Sequence, residues 1–125
     1  MKNEGLVVLI VDDSPLIVRR LTRSLKGLKN VKQILHAGSF TEAMNILAVL
    51  KPDLLLLDIN LPDKSGIDLL RTISVNKWEL KVIMFTNHST EYYRNLCKSL
   101  GAYYFFDKTN EFEKIPDFIR QIQLD

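Results

Sequence analysis

The 125 residues are enough for one domain with a buried core and too few for two. The sequence is 46% hydrophobic and 26% charged, as in ordinary globular domains, and its net charge of +2 does not by itself imply a nucleic-acid partner. The single cysteine, Cys97, excludes an intramolecular disulfide and a cysteine metal cluster, and it favours a reducing, cytoplasmic location.

Five apolar runs are predicted to form strands. They cover residues 6–11, 31–36, 54–57, 81–85 and 102–106. Several runs are apolar on both faces, which is typical of a parallel sheet covered on both sides. The first run holds only six residues and is too short for a signal-peptide core or a membrane span.

Segments with helical spacing separate and follow these runs. The residues expected at the helix starts are Ser14, Ser39, Ser65, Ser89 and Pro116. Glu42 lies three residues after Ser39 and would complete a capping box. Trp78 is expected near the end of the third helix. Strand and helix alternate five times, which predicts an α/β doubly wound sheet with right-handed crossovers.

Polar residues follow four of the five predicted strands. They are Asp12 and Asp13 after the first, Asp58 after the third, Thr86 after the fourth, and Asp107 and Lys108 after the fifth. Parallel strands end at one edge of a sheet, and ligands bind where the strand order reverses. If the second strand lies at an outer edge, the other four ends converge on one site.

Several carboxylates at one site repel each other. Two like unit charges ~4 Å apart repel by ~4 kcal/mol at an effective dielectric of ~20. Mg²⁺ would offset this repulsion, since it prefers oxygen ligands. With a lysine nearby, such a site could neutralise phosphoryl oxygens while one carboxylate attacks phosphorus. Each residue alone could equally be a cap, a turn or a solvated side chain, so the hypothesis depends on their joint placement.

Four stretches carry a family resemblance: VLIVDDSPLIVRRL, DLLLLDINLPDKSGIDLL, VIMFTNHS and GAYYFFDKTNEF. Together they resemble the receiver domain of two-component response regulators, of the single-domain chemotaxis type, over nearly the whole chain. The resemblance implies a flavodoxin-like, five-stranded parallel sheet of order 2-1-3-4-5 with five helices. It also implies one receiver domain over residues 1–125.

The resemblance assigns site roles to particular residues. Asp58 would accept a phosphoryl group from a histidine kinase or a histidine phosphotransfer protein. Asp13, Asp58 and the backbone carbonyl of Asn60 would hold Mg²⁺, and Asp12 would help through water. Lys108 would pair with the phosphoryl oxygens. The apolar run before Asp58 would anchor it rigidly for in-line attack.

The resemblance also implies a switch. Thr86 would donate its hydroxyl to the phosphoryl group, and Phe105 would turn inward and change the partner-binding face. Asn60 and His88 would tune the phosphoryl lifetime, although His88 could equally be a solvated loop histidine. One departure from the family is Asn87, which stands where a small residue is usual and could crowd the pocket.

Two other functions compete with this one. The first is an interaction module with the same fold that does not use phosphate. The second is a phosphatase of the haloacid dehalogenase type, which needs a second Asp where this chain has Asn60. We expect the chain to catalyse no reaction other than the uptake and hydrolysis of its own phosphoryl group. Its downstream target would be a protein that the sequence does not identify, and we expect no direct nucleic-acid or membrane partner. Leu16 and Arg20 on the first helix are candidate contacts for the protein that donates the phosphoryl group, although a basic helix face is more often simply solvated.

Overall fold

The computed structural model describes residues 5–122, in which strands and helices alternate. The strands are β1 (Leu6–Val11), β2 (Val31–Ala37), β3 (Leu54–Leu57), β4 (Lys81–Thr86) and β5 (Tyr104–Asp107). The helices are α1 (Pro15–Leu25), α2 (Phe40–Val49), α3 (Gly66–Asn76), α4 (Glu91–Ser99) and α5 (Ile115–Arg120), and a 3₁₀ turn over Phe112–Lys114 leads into α5.

All strand pairs are parallel, and the sheet order is β2-β1-β3-β4-β5. This order confirms the predicted fold and the outer position of β2. β1 lies between β2 and β3. The connections after β1 and after β3 therefore leave in opposite directions, and a crevice opens at the carboxyl ends of these two strands.

The sheet separates two cores of buried side chains. On one face, α1 and α5 pack on β-strand residues such as Ile10 and Leu56; on the other, α2, α3 and α4 cover residues such as Leu9 and Leu57. Burying one leucine side chain contributes ~1.5–3 kcal/mol. Because alternate residues of one strand serve opposite cores, the central strands must be apolar on both faces, as the sequence predicted.

The predicted strand ends shift by one or two residues. β2 extends to Ala37, and as an edge strand it is only partly buried. β4 extends to Thr86, which pairs with Asp107 at the end of β5. β5 starts at Tyr104 because Ala102 is used to close α4, where its N–H donates to the carbonyl of Cys97.

Helix starts agree with the sequence in most cases. The side chains of Ser14 and Ser65 cap α1 and α3 as expected. Ser39 caps α2 by accepting a hydrogen bond from the Glu42 N–H (3.0 Å). The predicted capping box is wrong, however, because the Glu42 carboxylate accepts its hydrogen bond from the N–H of Gly38 instead.

The fourth helix is capped by Thr90, so the prediction of Ser89 is wrong by one residue. The Ser89 hydroxyl instead donates to Oδ2 of Asp107 (2.7 Å), a residue 18 positions later. Trp78 lies beyond the end of α3, beside Leu50 and Leu80. It is therefore at the amino ends of the strands, far from the edge where Asp107 lies.

Cys97 on α4 is fully buried in the core beneath the sheet. Burial raises the pKa of its thiol to about 11. Within residues 5–122, no helix is both long and apolar enough to cross a bilayer.

Candidate functional site

The side chain of Asp58 follows directly on the most buried strand of the sheet. The four leucines of β3 are at most 1% exposed, and Asp58 itself is 6% exposed. Its N–H continues the sheet by donating to the carbonyl of Val11 (3.0 Å), and its Oδ1 accepts a hydrogen bond from the Asn60 N–H (3.3 Å). The carboxylate is thus held at both its backbone and its side chain.

Two further carboxylates approach Asp58 from the end of β1. Asp12 is buried, Asp13 is exposed, and one oxygen from each of Asp12, Asp13 and Asp58 lies within 4.8 Å of the others. Oδ1 of Asp12 accepts the N–H of Ser14 (2.9 Å), which fixes its orientation at the start of α1. The strand ends therefore bring together the acids that the sequence singled out.

Lys108 reaches this cluster from the end of β5. Its Nζ lies 2.6 Å from Oδ2 of Asp12 and 2.8 Å from Oδ2 of Asp58. Only 12% of the lysine side chain is exposed. One ammonium group therefore bridges carboxylates from two different strands inside a largely buried site.

The charges of this site depend on each other. Burial lowers the pKa of Lys108, but the hydrogen bonds to Asp12 and Asp58 outweigh it, and the pKa lies above its ordinary value. Burial raises the pKa of Asp12, and the neighbouring Lys108 and the Ser14 N–H only partly offset this effect. Lys108 is accordingly a permanent cation of the site.

The donor set fits a divalent cation. Three carboxylates and one ammonium leave an excess of two negative charges when all are ionised. Oδ2 of Asp12 is buried, and its contact within the described chain is the Lys108 ammonium at 2.6 Å. Oxygen donors at this spacing suit a hard metal ion such as Mg²⁺, and Asp12, Asp13 and Asp58 could hold it. Asn60 is exposed in the loop just beyond them.

The loop after β3 folds tightly back onto Asp58. The N–H of Gly66 donates to the carbonyl of Ile59 (2.7 Å), and a Cβ atom on Gly66 would lie 1.9 Å from the carbonyl oxygen of Asp58. In the same loop, the Asp63 carboxylate accepts hydrogen bonds from the N–H groups of Phe40 and Thr41 at the start of α2. Asp63 thereby fastens this loop to the neighbouring helix.

The predicted switch residues lie on β4 and β5. Thr86 is fully buried; its Oγ1 accepts a hydrogen bond from the His88 N–H (3.2 Å), and its carbonyl accepts one from the Lys108 N–H (2.9 Å). Phe105 is half-buried under the guanidinium of Arg94, 4.7 Å from its ring centroid. His88 is exposed.

The two α1 residues that were predicted to contact the phosphodonor protein differ in their environments. Leu16 is 56% exposed, two residues after the Asp12–Ser14 hydrogen bond. Arg20 stacks on the ring of Phe112, with its guanidinium carbon 4.1 Å from the centroid. Leu16 is thus an accessible apolar side chain next to the acids, whereas Arg20 already contacts Phe112 in the 3₁₀ turn that precedes α5.

Several residues around the site were not singled out by the sequence. Arg94 donates to the Ser89 carbonyl, and Glu111 accepts from the Asp107 N–H. The carboxylates of Asp63 and Asp107 accept hydrogen bonds from Phe40 and Ser89. Asp107 was noted only as a strand-end acid. The Asp63–Phe40 and Ser89–Asp107 partners lie 23 and 18 positions apart, so no local pattern signals these two pairings.

Known proteins resemble this chain along most of its length. The response regulator receiver domain family matches residues 8–120. Sporulation initiation phosphotransferase F of Bacillus subtilis is 31% identical, across 97% of this chain and 94% of that protein. A protein-glutamate methylesterase/protein-glutamine glutaminase of Clostridium acetobutylicum is 32% identical, across 97% of this chain but 37% of that protein. The response regulator domain of Thermotoga maritima CheB superposes with a TM-score of 0.81 at 26% identity, covering 92% of this chain and 90% of that one.

The chain spans roughly a third to a half of the length of several curated relatives that it matches. The methylesterase activity belongs to a protein of which this chain matches only 37%. The family match, in contrast, covers far more than half of the chain and includes every strand end that carries a site residue. The chain therefore belongs to the response regulator receiver domain family of two-component signalling.

Proposed function

We propose that this chain accepts a phosphoryl group on Asp58 from a histidine kinase or a histidine phosphotransfer protein. The observation that carries the proposal is the Lys108 ammonium, which lies within 2.8 Å of carboxylate oxygens on both Asp12 and Asp58. A carboxylate oxygen of Asp58 forms the new bond to phosphorus while the bond from phosphorus to the donor histidine nitrogen breaks. The receiver unit would comprise residues 1–125.

The surrounding residues stabilise the charge that develops in this transfer. Lys108 is a fixed cation that can turn from the Asp58 oxygen to a phosphoryl oxygen close by. Asp12, Asp13, Asp58 and the Asn60 carbonyl would hold Mg²⁺, which supplies further neutralisation of the phosphoryl oxygens when bound. The rigid placement of Asp58 on β3 lowers the entropic cost of an in-line approach.

The phosphoryl group then acts as the ligand of a two-state switch. The Thr86 hydroxyl accepts from the His88 N–H, so its own hydrogen is available to donate to a phosphoryl oxygen. Movement of Thr86 toward the site leaves space into which Phe105 turns. The face formed by α4, β5 and α5 changes shape and alters its affinity for a downstream protein. Asn60 and His88 would set the lifetime of the phosphoryl group.

This role needs no enzymatic activity beyond the chain's own phosphorylation and dephosphorylation. It also requires a cytoplasmic location, where a kinase and Mg²⁺ are both available. The exposed Leu16 beside the acids is a suitable apolar contact for the donor protein.

Labelling with acetyl phosphate and Mg²⁺ tests the proposal. We expect the wild-type chain to gain one phosphoryl group by intact mass, and Asp58→Asn to gain none. Asp117→Asn, on the exposed surface of α5, is the matched control and should be labelled like the wild type. Labelling that survives in Asp58→Asn would refute the assignment. A wild-type chain that is never labelled would favour the phosphate-independent interaction module.

A further inference from the structure

The side chain of Arg94 joins three separate parts of the structure. Its Nε donates to the carbonyl of Ser89 (3.1 Å), its Nη2 lies 3.6 Å from Oε1 of Glu111, and its guanidinium carbon lies 4.7 Å from the ring centroid of Phe105. It thus contacts the loop after β4, the loop after β5 and the ring of β5 that the proposed switch uses.

Glu111 is itself held in place. Its Oε1 accepts a hydrogen bond from the N–H of Asp107 (2.8 Å). This hydrogen bond holds the pKa of Glu111 below its usual range, and the charges of Lys114 and Arg94 add to the effect. Arg94 therefore has a partner that is anionic at neutral pH and fixed in position at the end of β5.

The loop between β4 and α4 is tied to the same place. The Ser89 hydroxyl donates to Oδ2 of Asp107 (2.7 Å), and the Thr109 hydroxyl donates to Oδ1 of Asn87 (2.8 Å). Asn87 directly follows Thr86, and Thr109 directly follows Lys108. Thr86 and the contacts of Arg94 are therefore connected through one set of loop hydrogen bonds.

We propose that Arg94 is a positioning residue that holds Phe105 in its present half-buried orientation and so stabilises the unphosphorylated state. The inference rests on the proposed function, in which Phe105 turns inward when Asp58 is phosphorylated. In this proposal, inward rotation would take the ring away from the guanidinium. A contact made in only one of two states shifts their equilibrium by the free energy of that contact.

Loss of the contact should favour the phosphorylated conformation. The test measures affinity for beryllofluoride, a non-covalent mimic of an acyl phosphate, by calorimetry in the presence of Mg²⁺. We expect Arg94→Ala to bind it about two- to five-fold more tightly than the wild type, as an exposed cation–π contact implies. Arg94→Lys keeps the charge but not the planar face, and it should lie between the two.

Two comparisons separate this role from a merely structural one. Lys98→Ala removes the same charge one turn further along α4, from an exposed lysine that makes no cation–π contact with Phe105 in the described chain. It should bind beryllofluoride like the wild type. Phe105→Leu removes the ring on which Arg94 acts, so adding Arg94→Ala in that background should produce no further gain in affinity.

The outcomes are distinguishable. If the wild type binds beryllofluoride but Arg94→Ala matches Lys98→Ala, Arg94 does not bias the switch, whatever its effect on the melting temperature. A gain that persists in the Phe105→Leu background would also overturn the inference, since Arg94 would then act elsewhere. If the wild type neither binds beryllofluoride nor takes up phosphate, the proposed function itself fails.

Discussion

The position that a Cβ atom would occupy on Gly66 lies 1.9 Å from the backbone carbonyl oxygen of Asp58. Gly66→Ala would improve helix propensity by ~1 kcal/mol at most. The overlap is with backbone at the most buried strand end, so we expect it to prevail and to destabilise the fold by ~1–3 kcal/mol. We also expect slower labelling by acetyl phosphate, because the displaced atoms carry the Asp58 carboxylate.

Gly27→Ala is the control for this prediction. A Cβ atom there has no neighbour within 4 Å, and the backbone of Gly27 is not left-handed. Substitution should leave stability unchanged or raise it by ~0.4–1 kcal/mol. Urea unfolding of both variants measures the difference. Equal stability of the two would show that the loop after β3 can move away from Asp58 at no cost.

Removal of the Lys108 ammonium should have opposite effects on metal binding and on phosphoryl transfer. The Lys108 ammonium and a bound Mg²⁺ would repel each other. Two unit charges ~4 Å apart interact by ~4 kcal/mol at an effective dielectric of ~20, and relief of only a third of this energy corresponds to a ~10-fold gain in Mg²⁺ affinity. We therefore expect Lys108→Met to bind Mg²⁺ at least ~10-fold more tightly in calorimetric titration, yet to be labelled far more slowly. Lys114 is 67% exposed, and Lys114→Met should change neither the Mg²⁺ affinity nor the rate of labelling. Unchanged Mg²⁺ affinity in Lys108→Met would place the metal elsewhere.

The Asp63 carboxylate should make stability depend on pH. Desolvation raises the pKa of Asp63, but the hydrogen bonds from Thr41, Phe40 and Lys64 together hold it well below its usual range. A carboxyl group whose pKa is lower in the folded state stabilises the fold above its unfolded pKa of ~3.9, and this contribution is lost as the pH falls through the folded pKa. Asp63→Asn should thus be less stable than the wild type at pH 7.

Chemical unfolding across the acid range provides the measurement for Asp63. The wild type should lose stability more steeply than Asp63→Asn as the pH falls below ~4, because only the wild type gives up the ionised cap there. Asp117→Asn alters an exposed carboxylate that pairs with Arg120 instead of capping a helix, and it serves as the comparison. Parallel curves for wild type and Asp63→Asn would contradict the assignment.

The exposed ring of His88 should influence how long the phosphoryl group survives. His88 lies two residues after Thr86, and its ring packs edge-on against Tyr93 with 5.5 Å between the ring centroids. We expect His88→Ala to shorten the half-life of the phosphorylated chain, because water gains access past the missing ring. His36→Ala removes the other histidine of the sequence, on the edge strand β2, and should leave the half-life unchanged. Identical half-lives for His88→Ala and the wild type would show that His88 is a solvated loop residue with no effect on the phosphoryl lifetime.

The sequence predicted the sheet and the meeting of its acids for a simple reason. Residues of central parallel strands are buried on both faces, so the leucines before Asp58 reveal both the strand and its end. Parallel strands end at a common edge, which brings Asp12 and Lys108 to Asp58 although the lysine is 50 positions away. The roles of these residues in phosphoryl transfer remain predictions.

Polar side chains with competing partners could not be placed from the sequence. Ser89 was expected to cap α4, but Asp107 takes its hydroxyl and Thr90 becomes the cap. Glu42 was expected to close a capping box, but its carboxylate accepts from the N–H of Gly38 instead. The partner of Ser89 lies 18 positions away and is brought there by the tertiary fold, whereas Glu42 chooses between two neighbouring N–H groups, which residue spacing alone does not distinguish.

The burial of Cys97 has a practical consequence for following the proposed switch in solution. A thiol whose pKa is raised to about 11 has almost no thiolate at neutral pH, and its position in the core keeps alkylating reagents away. A second cysteine introduced at exposed Tyr92 would therefore react alone with a maleimide dye. The native sequence thus already permits site-selective fluorescent reporting from α4 without prior removal of its own sulfur.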